Sequence, residues 1–135
     1  MSISPRKRES GRIEKLQRFF MRICALVFIA LALQTWMRVT GLLEGNALRF
    51  DTMADHWRLA SAVLCVLLPV AALGLWGGES WGAVLWIAAA VVAFLMHGAF
   101  PNLFGTADML LAFHVTGLLT MAAFRAATAF VANKR

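Results

Sequence analysis

Four long apolar runs, separated by short polar breaks, occupy almost the whole chain after residue 18. They cover residues 19–39, 57–76, 81–100 and 109–131. A helix needs about 20 predominantly apolar residues to cross the ~30 Å hydrocarbon core of a bilayer, and each run has about that length. The sequence therefore predicts an all-α protein, a bundle of four transmembrane helices whose main partner is the lipid bilayer.

The composition leaves little material outside the membrane. Hydrophobic residues make up 61% of the 135 residues and charged residues only 15%, whereas soluble domains carry about 25% charged residues. The predicted organisation is a cytoplasmic basic tail and lead-in over residues 1–18, followed by a single transmembrane domain over residues 19–135.

The lead-in has a helical pattern of its own, with apolar side chains on one side and basic side chains on the other. The apolar positions are Ile13, Leu16, Phe20 and Ile23, and the basic positions are Arg12, Lys15, Arg18 and Arg22. This arrangement is typical of an amphipathic helix that lies on a membrane surface.

The distribution of positive charge predicts the topology. Ten Lys and Arg residues fall at the two chain ends and three fall between them, at Arg38, Arg49 and Arg58. Cytoplasmic flanks of membrane helices carry the excess of Lys and Arg. We therefore expect a bacterial inner-membrane protein with both termini in the cytoplasm, and the net charge of +6 needs no nucleic-acid partner.

Tryptophans mark the expected membrane boundaries, because indole rings sit well at headgroup depth. Trp36 and Trp57 fall at the outer boundary, and Trp76 and Trp81 at the inner one.

Two sequence features predict the shape and packing of the helices. Pro69 has no N–H to donate to the carbonyl of Cys65, so a kink is expected in the second span. Small residues at helical spacing, such as Ala89 and Ala93 in the third span and alanines in the fourth, favour close packing of these two helices. They are also compatible with a homo-oligomeric face.

All three histidines map to the outer half of the membrane under this topology. His56 begins the second span, His97 ends the third, and His114 lies inside the fourth. A neutral imidazole can ligate haem iron or a metal, or relay a proton, so His114, His97 and His56 are the candidate cofactor-binding residues. The alternative is structural: His114 forms a hydrogen bond across helices, near Gln34 or Thr35 of the first span.

The sequence assigns neither a metal nor a catalytic residue. No two histidines have the i, i+3 or i, i+4 spacing of a local metal site, and the chain contains no phosphate-binding glycine loop, G-x-S-x-G, H-E-x-x-H or C-x-x-C motif. The prediction is a non-enzymatic accessory or assembly component of an envelope complex, with a membrane-protein partner or a second copy. The alternative is a quinone- or haem-binding redox component that uses the outer histidines; the cofactor itself stays unknown.

Several strings of the chain resemble an uncharacterised family of small four-span inner-membrane proteins from alphaproteobacteria. They are residues 48–51, 69–76, 81–86 and 100–105, followed by Phe113-His114. The resemblance covers the chain from Arg18 onward and implies the localisation and the architecture, with no activity attached. In size and layout the chain is more distantly similar to DoxX-like membrane proteins, some of which are tied to quinone-linked redox. That similarity implies no site residue here.

Overall fold

Long helices dominate the computed structural model, which describes residues 5–42 and 49–133, with side chains from residue 8. The elements are α1 (Pro5–Thr40), α2 (Asp55–Gly77), α3 (Ser80–Phe94), a π turn (Leu95–Ala99), a single-turn α4 (Pro101–Phe104) and α5 (Asp108–Asn133). The described residues contain no strand. The predicted fold class, an all-α four-helix bundle, is confirmed.

Four stretches of the described chain are long and apolar enough to cross a membrane. They are Arg8–Thr40, Asp55–Gly77, Ser80–Ala99 and Asp108–Asn133. The last three match the predicted apolar runs within two residues at either end. By helix length and composition, the four stretches are compatible with a multi-pass membrane protein.

The first helix is longer than the membrane is thick. The basic lead-in and the first span form one uninterrupted helix of 36 residues, which is about 54 Å long at 1.5 Å per residue. A ~30 Å hydrocarbon core leaves about 24 Å of it outside. The lead-in is therefore a continuation of the first helix and not a separate segment.

The bundle core is built where α1, α2 and α3 meet. Ala25, Phe28, Ala71, Leu75 and Trp86 are fully buried there. The alanines of α3 predicted to pack closely, Ala89 and Ala93, are buried. By contrast, of the four alanines of α5 that were predicted to pack, Ala122, Ala123 and Ala126 are exposed and Ala127 is only partly buried. The predicted packing of α3 against α5 through alanines on both helices is therefore wrong for α5.

The turn between α2 and α3 forms as its glycines predict. Gly78 adopts a left-handed conformation, with φ of 74°. Its N–H donates to the Leu75 carbonyl, and the N–H of Glu79 donates to the Gly74 carbonyl. These two bonds make a Schellman motif, which satisfies carbonyls that the end of α2 would leave free. Beside it, a Cβ on Gly82 would lie 2.4 Å from the Gly74 carbonyl carbon, so the two helices touch through their backbones.

The carbonyl that Pro69 leaves without a donor is satisfied from another helix. The indole Nε1–H of Trp36, on α1, donates to the Cys65 oxygen at 3.1 Å. Cys65 is the eleventh of the 23 residues of α2, so this bond lies near the middle of that helix. The indole of Trp36 therefore reaches the middle of α2 and joins α1 to α2.

Candidate functional site

Four helices enclose a cavity of about 110 Å³. We call the end of the bundle where α1 ends and α2 begins the connector end; the cavity lies in that half. It reaches from Arg38, two residues before the end of α1, to Leu68 and Ala89, near the middles of their helices. The polar residues that line it are Gln34, Thr35 and Arg38 from α1, Ser61 from α2, His97 from the π turn and His114 from α5.

His114 is the most deeply placed polar group of the cavity. Its side chain is 2% exposed, and its Nδ1 accepts a hydrogen bond of 3.1 Å from the indole Nε1–H of Trp86 on α3. An indole N–H only donates, so this Nδ1 carries no proton. The neutral ring therefore has its proton on Nε2, and His114 offers a hydrogen-bond donor there.

The Trp86 ring occupies this position because α5 has a glycine opposite it. A Cβ on Gly117 would lie 2.4 Å from Cζ2 of Trp86, closer than real Cβ contacts come. Phe28 and Phe113 complete the surroundings, with ring centroids 5.6 and 5.7 Å from that of Trp86. The aromatic rings fix the indole, and the indole in turn fixes the imidazole of His114.

His97 lies in the π turn and is oriented by the chain that follows it. Its Nδ1 is 2.9 Å from the carbonyl oxygen of Gly105. A carbonyl only accepts, so the proton of the neutral imidazole is on Nδ1 and Nε2 carries a lone pair. The π turn inserts an extra residue per turn at this point, a distortion that occurs frequently at functional sites in helices.

Two further polar groups of the cavity keep free hydrogen-bonding capacity. The hydroxyl of Ser61 is largely buried, at 8% exposure, and makes no hydrogen bond to another described residue. Arg38 likewise forms no ion pair within the described part of the chain. Thr35 is different, because its hydroxyl already donates to the Leu31 carbonyl at 2.8 Å.

The third candidate histidine lies apart from the other two. His56 packs edge-on against Phe104 of α4, with ring centroids 5.2 Å apart, and it does not line the cavity. Trp57 does line the cavity, and it also contacts Phe104, at 4.9 Å between centroids. The structure thus brings His97 and His114 to one cavity and leaves His56 beside α4.

The expected partner of His114 needs a correction. The imidazole is buried and hydrogen-bonded as predicted, but the donor is Trp86 rather than Gln34 or Thr35. Sequence reasoning missed Trp86, although a signal was present: it lies inside an apolar run, where an indole N–H needs a partner. It also missed Ser61, whose role in the cavity depends on how α2 is rotated.

The hydrogen bonds of His114 do not fit a haem or metal ligand. Its Nδ1 lone pair faces the Trp86 N–H, and its Nε2 carries the proton, so neither nitrogen is free to coordinate. The described residues contain no group of three or more His, Cys, Asp and Glu side chains that could hold a metal ion. The cavity is also small beside the roughly 300–1,000 Å³ of sites that enclose a whole drug-sized ligand, so it does not hold a haem macrocycle.

A family model matches residues 15–132 of the chain. The chain belongs to DUF6163, a family of unknown function. No curated protein and no solved structure matches it. The DUF6163 match includes all four apolar runs and both histidines of the cavity. It agrees with the resemblance to an uncharacterised family that the sequence showed.

Proposed function

We propose that this DUF6163 protein is a bacterial inner-membrane protein that binds the head group of a quinone in the cavity at its connector end. The observation that supports this most is the opposite hydrogen bonding of two imidazoles that line one cavity: Nδ1 of His114 faces an indole N–H, whereas Nδ1 of His97 faces a carbonyl oxygen. His114 offers a donor at Nε2, and His97 offers an acceptor at Nε2.

A quinone matches this pair in both of its stable forms. Each quinone carbonyl accepts a hydrogen bond, which suits the Nε2–H of His114. Each hydroxyl of the reduced form also donates one, which suits the lone pair of His97 and the free hydroxyl of Ser61. The apolar part of the lining, which includes Leu64, Leu68 and Met96, suits the ring.

The cavity is slightly smaller than one known to hold a single ring. It measures about 110 Å³, against about 150 Å³ for a cavity that binds benzene, so we expect the lining side chains to move apart when a quinone ring enters. The isoprenoid tail of a quinone would lie outside this cavity, among the lipid chains. Quinone dissolved in the bilayer reaches such a site without passing through water.

The charge distribution supports the orientation that we propose. Ten Lys and Arg residues lie toward the chain termini and three lie toward the connector end. With both termini in the cytoplasm, the cavity lies in the outer half of the membrane.

Quinone content of the purified protein tests the proposal. We expect organic extraction of protein purified in mild detergent to release up to one quinone per chain, with no haem Soret band in the intact preparation. His97→Leu should lower the quinone content several-fold, because it removes the acceptor at Nε2. His56→Leu is the matched control, since His56 is a partly buried histidine of the same end that does not line the cavity.

A preparation that releases no quinone would contradict the proposal, and so would equal losses of quinone in His97→Leu and His56→Leu. Either result would favour a second function, a non-enzymatic accessory or assembly component. The long basic end of α1 supports this second function, because about 24 Å of helix outside the hydrocarbon core can dock a partner protein.

A further inference from the structure

An apolar groove runs along the outside of the bundle between α1 and α2, away from the histidine cavity. It has a volume of about 650 Å³. Ala32 and Ala72 form its floor and are buried, whereas Leu33 and Leu73 form its walls and are exposed. Trp36 and Trp76 lie at its two ends.

The groove has the depth of one leaflet. Along α1 it extends from Leu26 to Trp36, which is about 15 Å at 1.5 Å per residue. That is half of the ~30 Å hydrocarbon core. One end lies near Pro69, close to the middle of α2, and the other lies at Trp76, one residue before that helix ends. The groove therefore matches, in length and direction, one acyl chain that extends from the bilayer surface to its midplane.

A cation stands at the surface end of the groove. The guanidinium carbon of Arg22 lies 5.5 Å from the centroid of the Trp76 ring, a cation–π contact that holds the side chain in place. Arg22 forms no ion pair within the described part of the chain. A guanidinium binds phosphate through two parallel hydrogen bonds, so Arg22 has the charge and geometry to bind a phosphate at the groove's entrance.

We propose that this groove binds one molecule of an anionic phospholipid. An acyl chain lies over Ala32 and Ala72, and the phosphate lies against Arg22. The complementarity of charge selects an anionic lipid over a zwitterionic one, because the basic flank of α1 attracts a net negative head group. The site is independent of the quinone proposal, since the two share no lining residue.

Thermal unfolding in detergent with added lipid tests this site. We expect phosphatidylglycerol to raise the unfolding temperature more than phosphatidylcholine does, and inorganic phosphate to leave it unchanged. Native mass spectrometry should show one retained phosphatidylglycerol per chain. Arg22→Gln should weaken phosphatidylglycerol binding about 10-fold or more, because a charge-assisted hydrogen bond is lost.

Arg125→Gln is the matched control. Arg125 is also an exposed arginine without an ion pair in the described chain, but it lies on α5 and lines neither the groove nor the histidine cavity. This variant should bind phosphatidylglycerol like the wild type. Trp76→Leu is a second variant that removes the ring under Arg22 and should reduce the preference for phosphatidylglycerol.

Three results would overturn the proposal. Equal losses in Arg22→Gln and Arg125→Gln would show a diffuse charge effect. Stabilisation by inorganic phosphate alone would show that no acyl chain is needed. A lipid-free dimer in the mass spectrum would show that a second copy of the chain covers the groove.

Discussion

At the scale of single residues, the site depends on three residues, His114 and Gly117 on α5 and the distant Trp86 on α3. Gly117 makes room for the Trp86 ring, and the Trp86 N–H sets the tautomer of His114. The sequence predicted that His114 is buried and hydrogen-bonded, because an imidazole in hydrocarbon without a partner is costly. It could not identify the partner, since 28 residues separate Trp86 from His114 and no local spacing relates them.

Replacing Trp86 by phenylalanine should destabilise the protein. The change leaves His114 Nδ1 without its donor in a buried place, at a cost of about 1–3 kcal/mol. Chemical unfolding in detergent measures this difference. The cost should shrink when His114 is also replaced by leucine, because the two groups interact directly. Additive effects in the double variant would contradict the hydrogen bond.

Replacing Gly117 by alanine should also destabilise the bundle. The new Cβ would lie 2.4 Å from the Trp86 ring and force the ring to move, and such overpacking costs about 1–3 kcal/mol. Gly98→Ala is the control, since its Cβ would meet its nearest neighbour at an ordinary 3.6 Å. The unfolding temperatures of the two variants are compared. Equal temperatures would mean that the Trp86 ring can move to accommodate the new methyl group.

At the scale of elements, the link between α1 and α2 shows what proline does in a membrane helix. The sequence predicted that Pro69 frees the carbonyl of Cys65, because that follows from the chemistry of proline alone. The donor that satisfies it, Trp36, depends on how the two helices are rotated and aligned. In hydrocarbon no water is present to donate a hydrogen bond to such a carbonyl. We therefore expect the bond from Trp36 to stabilise the packing of α1 against α2.

A double-mutant cycle isolates this bond. Trp36→Phe should lower the free energy of unfolding by about 0.6–1.7 kcal/mol, the range found for interhelical hydrogen bonds in membranes. In a Pro69→Ala background the restored N–H can bond the Cys65 carbonyl within α2, so Trp36→Phe should then cost much less. Equal costs in the two backgrounds, measured by unfolding in mixed micelles, would contradict the role of Trp36.

At the scale of the whole molecule, the four helices follow from the sequence because crossing a membrane requires length and apolarity, which are local properties. The uninterrupted helix from Pro5 to Thr40 was harder to foresee, because its composition changes from basic to apolar and Gly11, a weak helix former, lies within it. The cavity could not be predicted as a cavity. It depends on the π turn and on how the four helices are aligned along their axes. Together these bring His97 and His114 into the lining of one cavity and leave His56 outside it.

The topology is testable with reporter fusions. Ten cations near the termini against three toward the connector end predict cytoplasmic termini. Alkaline phosphatase fused after Arg135 should therefore be inactive, and the same enzyme fused near Asn46 should be active. The reverse pattern would place the histidine cavity in the inner half of the membrane.

The central claim is that a quinone head group occupies the cavity between His97 and His114. Photolabelling of the membrane-embedded protein with an azidoquinone, followed by peptide mass spectrometry, locates the head group directly. We predict that the label is found on residues that line the cavity, such as Ser61, Met96 and Leu110, and that excess unlabelled quinone prevents it. Labelling confined to lipid-facing side chains such as Leu59 and Val66, without competition, would contradict the claim.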